Sequence, residues 1–288
     1  MSKFFQALGQ AQHDRGLHSN GSARIEAERI DPPGSEGPSS GASPFVPDAS
    51  EELDEHLVSL LTPSSFEAEQ YRALRYQMEM RHKSSGLCVI AVSSPGSSDG
   101  KTTTSINLAG ALAQAPDARV LLVDADLRRA AMAARLGFPE GRQPGLVDAV
   151  LDPALSLSAV VQTLKHLNLS VVTAGRLPAV PYEVLKSPRL GELFAEARRR
   201  FEYIIVDTPP LVLVPDCRVI GKWVDGFLIV VTAHRTTRKL LEESLNVMEP
   251  TKIVGLVFNG DDRHVSRKAY TSYGASSANG RRHFASND

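Results

Sequence analysis

The stretch Ser93-Ser94-Pro95-Gly96-Ser97-Ser98-Asp99-Gly100-Lys101-Thr102-Thr103 follows directly on the apolar run 87–92 and decides the fold. A loop of small residues between a strand and a helix lets backbone N–H groups turn toward phosphate, and the helix N-terminus adds partial positive charge. In such a loop Lys101 would reach the β- and γ-phosphates and the Thr102 hydroxyl would ligate Mg²⁺. Pro95 stands where the strict pattern has glycine. The stretch predicts a nucleoside triphosphate site, cradled by Pro95, Gly96, Ser97, Ser98, Asp99, Gly100, Lys101, Thr102 and Thr103.

Strand-like and helical patterns alternate on both sides of this loop. The predicted strands are 87–93, 119–123, 168–173, 203–207, 227–232 and 252–258, and the predicted helices are 101–115, 127–136, 145–151, 188–201, 214–222 and 236–248. Continuous Val/Ile/Leu runs are typical of strands that are buried on both faces. We therefore predict an α/β fold with a doubly wound, mainly parallel sheet and a ligand at the carboxyl ends of its strands.

The two ends of the chain differ from its middle in composition. Thirteen of the twenty residues from 31 to 50 are Pro, Gly or Ser. Such a segment has too few apolar side chains for their burial to offset the entropy that ordering the chain costs. Residues 1–62 carry ten acidic and four basic side chains, and residues 263–288 carry one acidic and five basic. We predict a disordered N-terminal tail over 1–62, one folded domain over 63–262 and a flexible basic tail over 263–288.

The folded domain is predicted to begin with a helix over 64–81. Ser64 and Glu67 have the spacing of a capping box. A charged stripe runs along one side of this helix at three-residue steps, formed by Glu69, Arg72 and Arg75. By itself, such a stripe is typical of an exposed ladder of ion pairs.

Composition excludes several classes of protein. A formal net charge of -1 gives no indication of a nucleic-acid partner, and two cysteines form no disulfide framework, which favours a reducing cytoplasm. No apolar run approaches the roughly 20 residues that span a bilayer. We find neither a histidine pair at metal-ligand spacing nor the Gly-x-Ser-x-Gly motif of serine hydrolases.

Two predicted strands end in carboxylates. Asp124 and Asp126 follow the second strand, and Asp207 follows the fourth. In a parallel sheet these tips lie at the same edge as the phosphate loop, where carboxylate oxygens suit Mg²⁺. We predict a metal site from Thr102, Asp124, Asp126 and Asp207, with Lys101 and the three aspartates as catalytic residues. Asp124 or Asp126 is the candidate to accept a proton from an attacking hydroxyl.

Together these motifs resemble the bacterial tyrosine kinases, the autokinases of capsule and exopolysaccharide loci. The resemblance covers about residues 63–262 and implies the P-loop NTPase architecture of the Min/Par type. Its Walker A, Walker A′ and Walker B boxes fall on 96–103, 124–128 and 204–207, so Arg128 becomes a nucleotide-site candidate. Asn259 lies where related ATPases contact adenine, although an asparagine after a strand is commonly a turn residue. The Glu69, Arg72 and Arg75 stripe matches the family's oligomerisation signature.

The resemblance also implies a mechanism and partners. ATP and Mg²⁺ would occupy the cradle, and a tail tyrosine of a neighbouring subunit would attack the γ-phosphate within a ring-like homo-oligomer that regulates polymer length and export. A separate membrane-embedded chain-length protein would activate the kinase and hold it at the inner face of the cytoplasmic membrane, and a tyrosine phosphatase would act on it. This tail offers only Tyr270 and Tyr273, fewer than the family's usual cluster.

Two alternatives remain open at this point. One is a switch ATPase of the Min/Par type without kinase activity, whose phosphate loop carries an extra lysine; the equivalent stretch here, 94–96, has none. The other is a catalytically weak regulatory subunit that binds ATP only to set its assembly state, which the low number of tail tyrosines keeps open.

Overall fold

The computed structural model describes residues 53–138, 143–164 and 167–261, and seven short strands in this part of the chain form one sheet. The strands are β1 (Val89–Ser93), β2 (Val120–Asp124), β3 (Gln162–Leu164), β4 (Leu169–Val172), β5 (Tyr203–Asp207), β6 (Gly226–Thr232) and β7 (Ile253–Asn259). Their order across the sheet is β3-β4-β2-β5-β1-β6-β7. Every neighbouring pair is parallel except β3 with β4. The predicted fold class, a mainly parallel α/β sheet, is confirmed.

Helices cover both faces of this sheet. They are α1 (Val58–Leu61), α2 (Phe66–Ser85), α3 (Lys101–Ala113), α4 (Met132–Arg135), α5 (Leu146–Leu151), α6 (Leu157–Val160), α7 (Pro181–Lys186), α8 (Pro188–Arg200), α9 (Asp216–Ile220) and α10 (Arg238–Asn246). On one face α3 packs against β1, β2 and β5, and α2 packs on α3. On the other face, α5 to α9 share one apolar cluster with alternate residues of the central strands. The central strands are buried throughout, as their continuous apolar runs predicted.

The helix predicted over 127–136 is wrong in length. Only α4 is helical there, because the chain after β2 turns around two carboxylates. The carboxylate of Asp126 accepts a bond from the backbone N–H of Arg129 at 3.2 Å, and that of Asp124 accepts one from Met132 at 3.3 Å. The short elements β3, α6 and α7 were not predicted, since three to six residues give too little periodicity to recognise.

The prediction of a disordered tail over 1–62 is wrong for residues 53–62, which the structure describes. Residues 53–62 are packed, α1 lies within them, and Leu57 is fully buried. The following helix, predicted over 64–81, is α2. Its N-cap is Ser65, whose side chain accepts from the Ala68 backbone N–H at 3.1 Å, and it ends at Gly86, which has a φ of 68°. The tail predictions over 1–52 and 263–288 lie outside the described residues.

Candidate active site

The phosphate loop runs from the end of β1 to the start of α3. Gly100 has a φ of 90°, a left-handed conformation that favours glycine, and a Cβ at this position would overlap the side chain of Asn259. The first backbone hydrogen bond of α3 runs from Thr104 N to the Gly100 carbonyl at 2.8 Å. The preceding N–H groups of the first turn therefore have no partner within the helix and are available to an anion.

Asp99 supports this loop from behind. Its carboxylate, in a residue only 3% exposed, accepts bonds from the Gly96 backbone N–H at 3.0 Å and from the hydroxyls of Thr232 and Thr236 at 3.0 and 2.9 Å. Thr232 is the last residue of β6, and Thr236 lies four residues further along the chain. The sequence did not reveal either of them as a partner of Asp99. The Asn259 amide donates to the Asp99 carbonyl at 3.0 Å. Asp99 and Asn259 therefore hold the loop in place, and an adenine contact for Asn259 stays a prediction.

Asp207 lies beneath the first turn of α3. Asp124 and Asp207 sit side by side at the tips of β2 and β5, and both are buried. The Thr102 hydroxyl donates to Asp207 Oδ2 at 2.6 Å, and the Ser105 hydroxyl, whose one hydrogen is shared with the Lys101 carbonyl at 2.9 Å, lies 3.2 Å from Oδ1. Sequence reasoning missed Ser105, although it lies one helical turn after Lys101 on the same side of α3. The two hydroxyls fix both oxygens of this carboxylate at the predicted metal position.

The other two aspartates have different surroundings. Both Asp124 oxygens accept backbone N–H bonds, Oδ1 from Asp126 at 3.1 Å and Oδ2 from Met132 at 3.3 Å. Asp126 Oδ2 instead lies 2.7 Å from the Lys101 ammonium nitrogen. Asp124 thus holds the turn after β2, whereas Asp126 faces the phosphate loop through its ion pair.

Burial sets the protonation of this cluster. It raises the pKa of Asp124 well above the usual range, and the nearby Asp207 charge adds to the effect. Burial raises the pKa of Asp207 to about 6, although Lys101 and the Thr102 hydroxyl act in the opposite direction. For Lys101, burial lowers the pKa, but the charges of Asp207 and Asp126 outweigh it and the net pKa is raised. Lys101 is therefore a cation within a cluster of carboxylates that favours further positive charge.

Arg128 is bound to the next element rather than to the loop. Its Nε and Nη2 lie 2.7 and 3.0 Å from the two oxygens of Asp216, which is fully buried at the start of α9. This two-point contact connects the turn after β2 to the helix after β5. A nucleotide contact for Arg128 stays a prediction, and Asp216 is a partner that the sequence did not reveal.

The oxygen donors at this edge fit a magnesium ion, although no preformed cage exists. Within the described residues, no three His, Cys, Asp or Glu side chains are grouped to hold a metal. The Thr102 hydroxyl and the Asp207 carboxylate, already in contact, are the hard oxygen ligands that Mg²⁺ accepts alongside water and substrate phosphates. The predicted role of Asp124 as a direct ligand has less support, because both of its oxygens are engaged by backbone N–H groups.

The charged stripe on α2 makes contacts within its own chain. Arg72 pairs with Glu69 and donates to the Pro63 carbonyl. Arg75 pairs with Glu79 at 2.6 Å and donates to the Ala111 carbonyl in α3 at 3.0 Å. The stripe thus links α2 to its surroundings, and its role between subunits stays a prediction.

Comparison with known proteins decides the family. A family model described as an AAA domain matches residues 88–243. Tyrosine-protein kinase YwqD of Bacillus subtilis is 30% identical over 210 residues, which are 72% of this chain and 87% of that protein. Tyrosine-protein kinase CpsD of Streptococcus agalactiae is 31% identical over 208 residues, with 72% and 88% covered. The chain belongs to the bacterial tyrosine kinases.

Solved structures agree with this family. The kinase domain of the Escherichia coli tyrosine kinase ETK superposes with a TM-score of 0.67 at 28% identity, covering 72% of this chain and 81% of that one. Tyrosine-protein kinase ptk of Acinetobacter johnsonii is 34% identical, but the match covers only 26% of that protein, so this bacterial tyrosine kinase corresponds to one part of a longer relative. The predicted enzyme class, a protein-tyrosine kinase, is confirmed. Among the described residues, no helix is long and apolar enough to cross a membrane.

Proposed function

We propose that this kinase transfers the γ-phosphate of ATP to Tyr270 and Tyr273 in the tail of a neighbouring copy. The observation that carries the proposal is the convergence of two contacts at the start of α3. Lys101 lies 2.7 Å from Asp126, and Thr102 lies 2.6 Å from Asp207. These contacts place three groups at one edge of the sheet: the Lys101 cation for phosphate, the proposed metal position at Thr102 and Asp207, and the Asp126 carboxylate. Phosphoryl transfer requires all three.

Each residue has a distinct task in this proposal. The first-turn N–H groups of α3 would bind the phosphates, and Thr102 and Asp207 would hold Mg²⁺, which would supply positive charge for the phosphate oxygens. Lys101 exchanges its ion pair with Asp126 for the phosphate oxygens when ATP binds. The Asp126 carboxylate, released from Lys101, then accepts the proton of the attacking tyrosine hydroxyl. Binding of ATP thus prepares both the electrophile and the base.

The wider assignment rests on the family. We propose that the kinase regulates the polymerisation and export of an exopolysaccharide or capsule, as a ring-like homo-oligomer with α2 at the subunit contact. A membrane-embedded chain-length protein would activate it at the cytoplasmic face, and a tyrosine phosphatase would reverse the modification. No role for nucleic acid is proposed. In this proposal the chain consists of a kinase domain over 63–262 and a tail with the acceptor tyrosines over 263–288. The packed residues 53–62 precede the kinase domain.

The test is mass spectrometry of the full chain after incubation with ATP and Mg²⁺. We expect phosphate on Tyr270 or Tyr273 in the wild type and a loss of more than about 100-fold in Lys101→Met, because the loop then lacks its phosphate-binding cation. Lys239→Met, which removes an exposed lysine, is the matched control and should retain activity. ATP consumption without phosphate on either tail tyrosine would refute the assignment of Tyr270 and Tyr273 as acceptors.

A mixing experiment tests transfer between copies. The acceptor is Lys101→Met, which keeps its tail, and the donor is the double variant Tyr270→Phe with Tyr273→Phe, which keeps its site. Phosphate on the acceptor tail establishes transfer in trans. Wild-type autophosphorylation without any phosphate in the mixture would show that each chain modifies only its own tail.

A further inference from the structure

Residues 53–62, here called the N-terminal strap, pack against the helix that carries the phosphate loop. Leu57 is fully buried, and α1 contacts both α2 and α3. Asn107, which is fully buried in α3, accepts the Ser59 backbone N–H at 2.8 Å and donates to the His56 carbonyl at 2.9 Å. Gln114 donates to the Ser59 carbonyl at 3.0 Å. Asn107 in α3 and Gln114, the residue directly after this helix, thus bond the backbone of the strap at three points.

A glycine in α3 makes room for the strap. Gly110 lies in the middle of a helix, where glycine costs about 1 kcal/mol relative to alanine. A Cβ at this position would stand 2.5 Å from the Leu60 methyl carbon Cδ2, so the end of the Leu60 side chain would have to move. The close approach of the strap to α3 therefore explains why glycine stands at position 110.

The strap also reaches the phosphate loop through one arginine. Arg135 Nη1 lies 2.8 Å from Asp54 Oδ2 and donates to the Thr103 hydroxyl at 3.1 Å. The Asp54 backbone N–H donates to the Arg135 carbonyl at 3.1 Å, so Asp54 holds this arginine by both main chain and side chain. Thr103 belongs to the first turn of α3, whose free N–H groups face the predicted phosphates.

We propose that Asp54 and Arg135 are positioning residues for Thr103, and that docking of the N-terminal strap raises the affinity of the site for ATP. The inference rests on the proposed function, because it requires ATP in the cradle. With the strap docked, Arg135 fixes the hydroxyl oxygen of Thr103 and leaves its hydrogen for a phosphate oxygen. With the strap released, Arg135 loses Asp54 and the first turn of α3 loses this support.

Linkage makes the coupling measurable in both directions. If docking strengthens ATP binding by some factor, ATP must strengthen docking by the same factor, and couplings between sites are typically about 5- to 150-fold. Hydrogen exchange reports docking, because the backbone N–H groups of Ser59 and Thr62 are bonded within this region. A merely structural strap would lower stability without this reciprocity.

The experiment compares full-length variants by the dissociation constant of the non-hydrolysable analogue AMP-PNP with Mg²⁺ and by hydrogen exchange over 57–62. Gly110→Ala should displace the Leu60 side chain and loosen the strap, so that exchange over 57–62 speeds up and nucleotide binding weakens, by at least about fivefold where the strap is fully released. Adding Leu60→Ala to Gly110→Ala removes the clashing methyl group and should restore both slow exchange over 57–62 and nucleotide affinity. Leu57→Asp places a charge at a buried position and is a second way to release the strap. Arg135→Met should weaken binding without adding to Gly110→Ala.

The matched control is Gly191→Ala. Gly191 also lies within a helix beneath a large side chain, since a Cβ there would overlap the Trp223 ring, but it lies in α8, away from the strap. This variant should lose stability and keep nucleotide affinity. Faster exchange over 57–62 in Gly110→Ala or Leu57→Asp with unchanged affinity would overturn the proposal. If the wild type itself binds no nucleotide, the proposed function fails instead.

Discussion

Replacement of Asp207 by asparagine should stabilise the nucleotide-free protein while removing kinase activity. Asp207 is only 1% exposed, and burial raises its pKa from an ordinary value of 3.8 to about 6. This difference of about 2 pKa units corresponds to about 3 kcal/mol at neutral pH, at 1.36 kcal/mol per unit. Asparagine keeps one acceptor oxygen for Thr102 or Ser105 and loses one bond, which costs about 1 kcal/mol. The net gain is about 2 kcal/mol, or about 4–8 °C in Tm for a domain of this size.

The pH dependence has a definite sign. Because the folded-state pKa of Asp207 lies above the unfolded value, the folded protein binds this proton more tightly. Wild-type stability should therefore rise as the pH falls from 7.5 through about 6. Asparagine does not titrate, so the advantage of Asp207→Asn should shrink by about 1–2 kcal/mol between pH 7.5 and pH 5. The activity loss follows from the missing carboxylate at the proposed metal position.

The assay is urea unfolding at both pH values without Mg²⁺ or nucleotide. Asp225→Asn is the control of opposite sign. Burial raises the pKa of Asp225, but bonds from Arg198 and from two backbone N–H groups outweigh it and the net pKa is lowered. Its replacement should destabilise the protein to the same extent at pH 7.5 and pH 5, because the contribution of a lowered pKa is lost only as the pH falls below the ordinary value of 3.8. The reasoning is refuted if Asp207→Asn is no more stable than the wild type at pH 7.5, or if its gain persists unchanged at pH 5.

Two further replacements test the loop and the helix stripe. Gly100→Ala should cost about 1–3 kcal/mol in the free energy of unfolding and weaken ATP binding, because of the positive φ and the overlap with Asn259; normal affinity by calorimetry would contradict this account of the loop. Arg72→Ala with Arg75→Ala should yield monomers by light scattering and also lose about 1 kcal/mol with the bond to the Ala111 carbonyl. An unchanged oligomer mass would remove the stripe from the subunit interface.

The parts of the site that lie at strand ends could be predicted from the sequence. The runs before Asp124 and Asp207 are apolar on every residue, which requires burial on both faces and so a parallel sheet. Once the sheet is parallel, both carboxylates must lie at the edge where the phosphate loop begins. The fold class and the position of the loop follow from this one step, because the pattern that reveals the strands also fixes their direction, and the proposed metal position rests on the same step.

The supports of the loop could not be predicted in this way. Asp99 bonds Thr232, which is 133 residues away along the chain, and no local pattern marks threonines as partners of a loop aspartate. The same holds for Arg128 with Asp216, which are 88 residues apart. These contacts depend on the order of the strands within the sheet, in which β6 is the neighbour of β1. The local sequence indicates whether a segment forms a helix or a strand, but it does not indicate which other elements will lie beside that segment in the fold.

The N-terminal strap shows why composition misplaced the start of the folded chain. The strap has two acidic residues and a helix of only four residues, and it gives no stable structure by itself, since such short helices are marginal in water. Its order is supplied by α3, through Asn107 and the space above Gly110, and by Gln114 directly after this helix. Composition measures the average of a segment, whereas docking is decided by a few residues and their partner surface. Because the strap is held in place by α3, its release would also remove contacts from α3. The strap, which composition did not reveal, is therefore in a position to regulate nucleotide binding at the start of that helix.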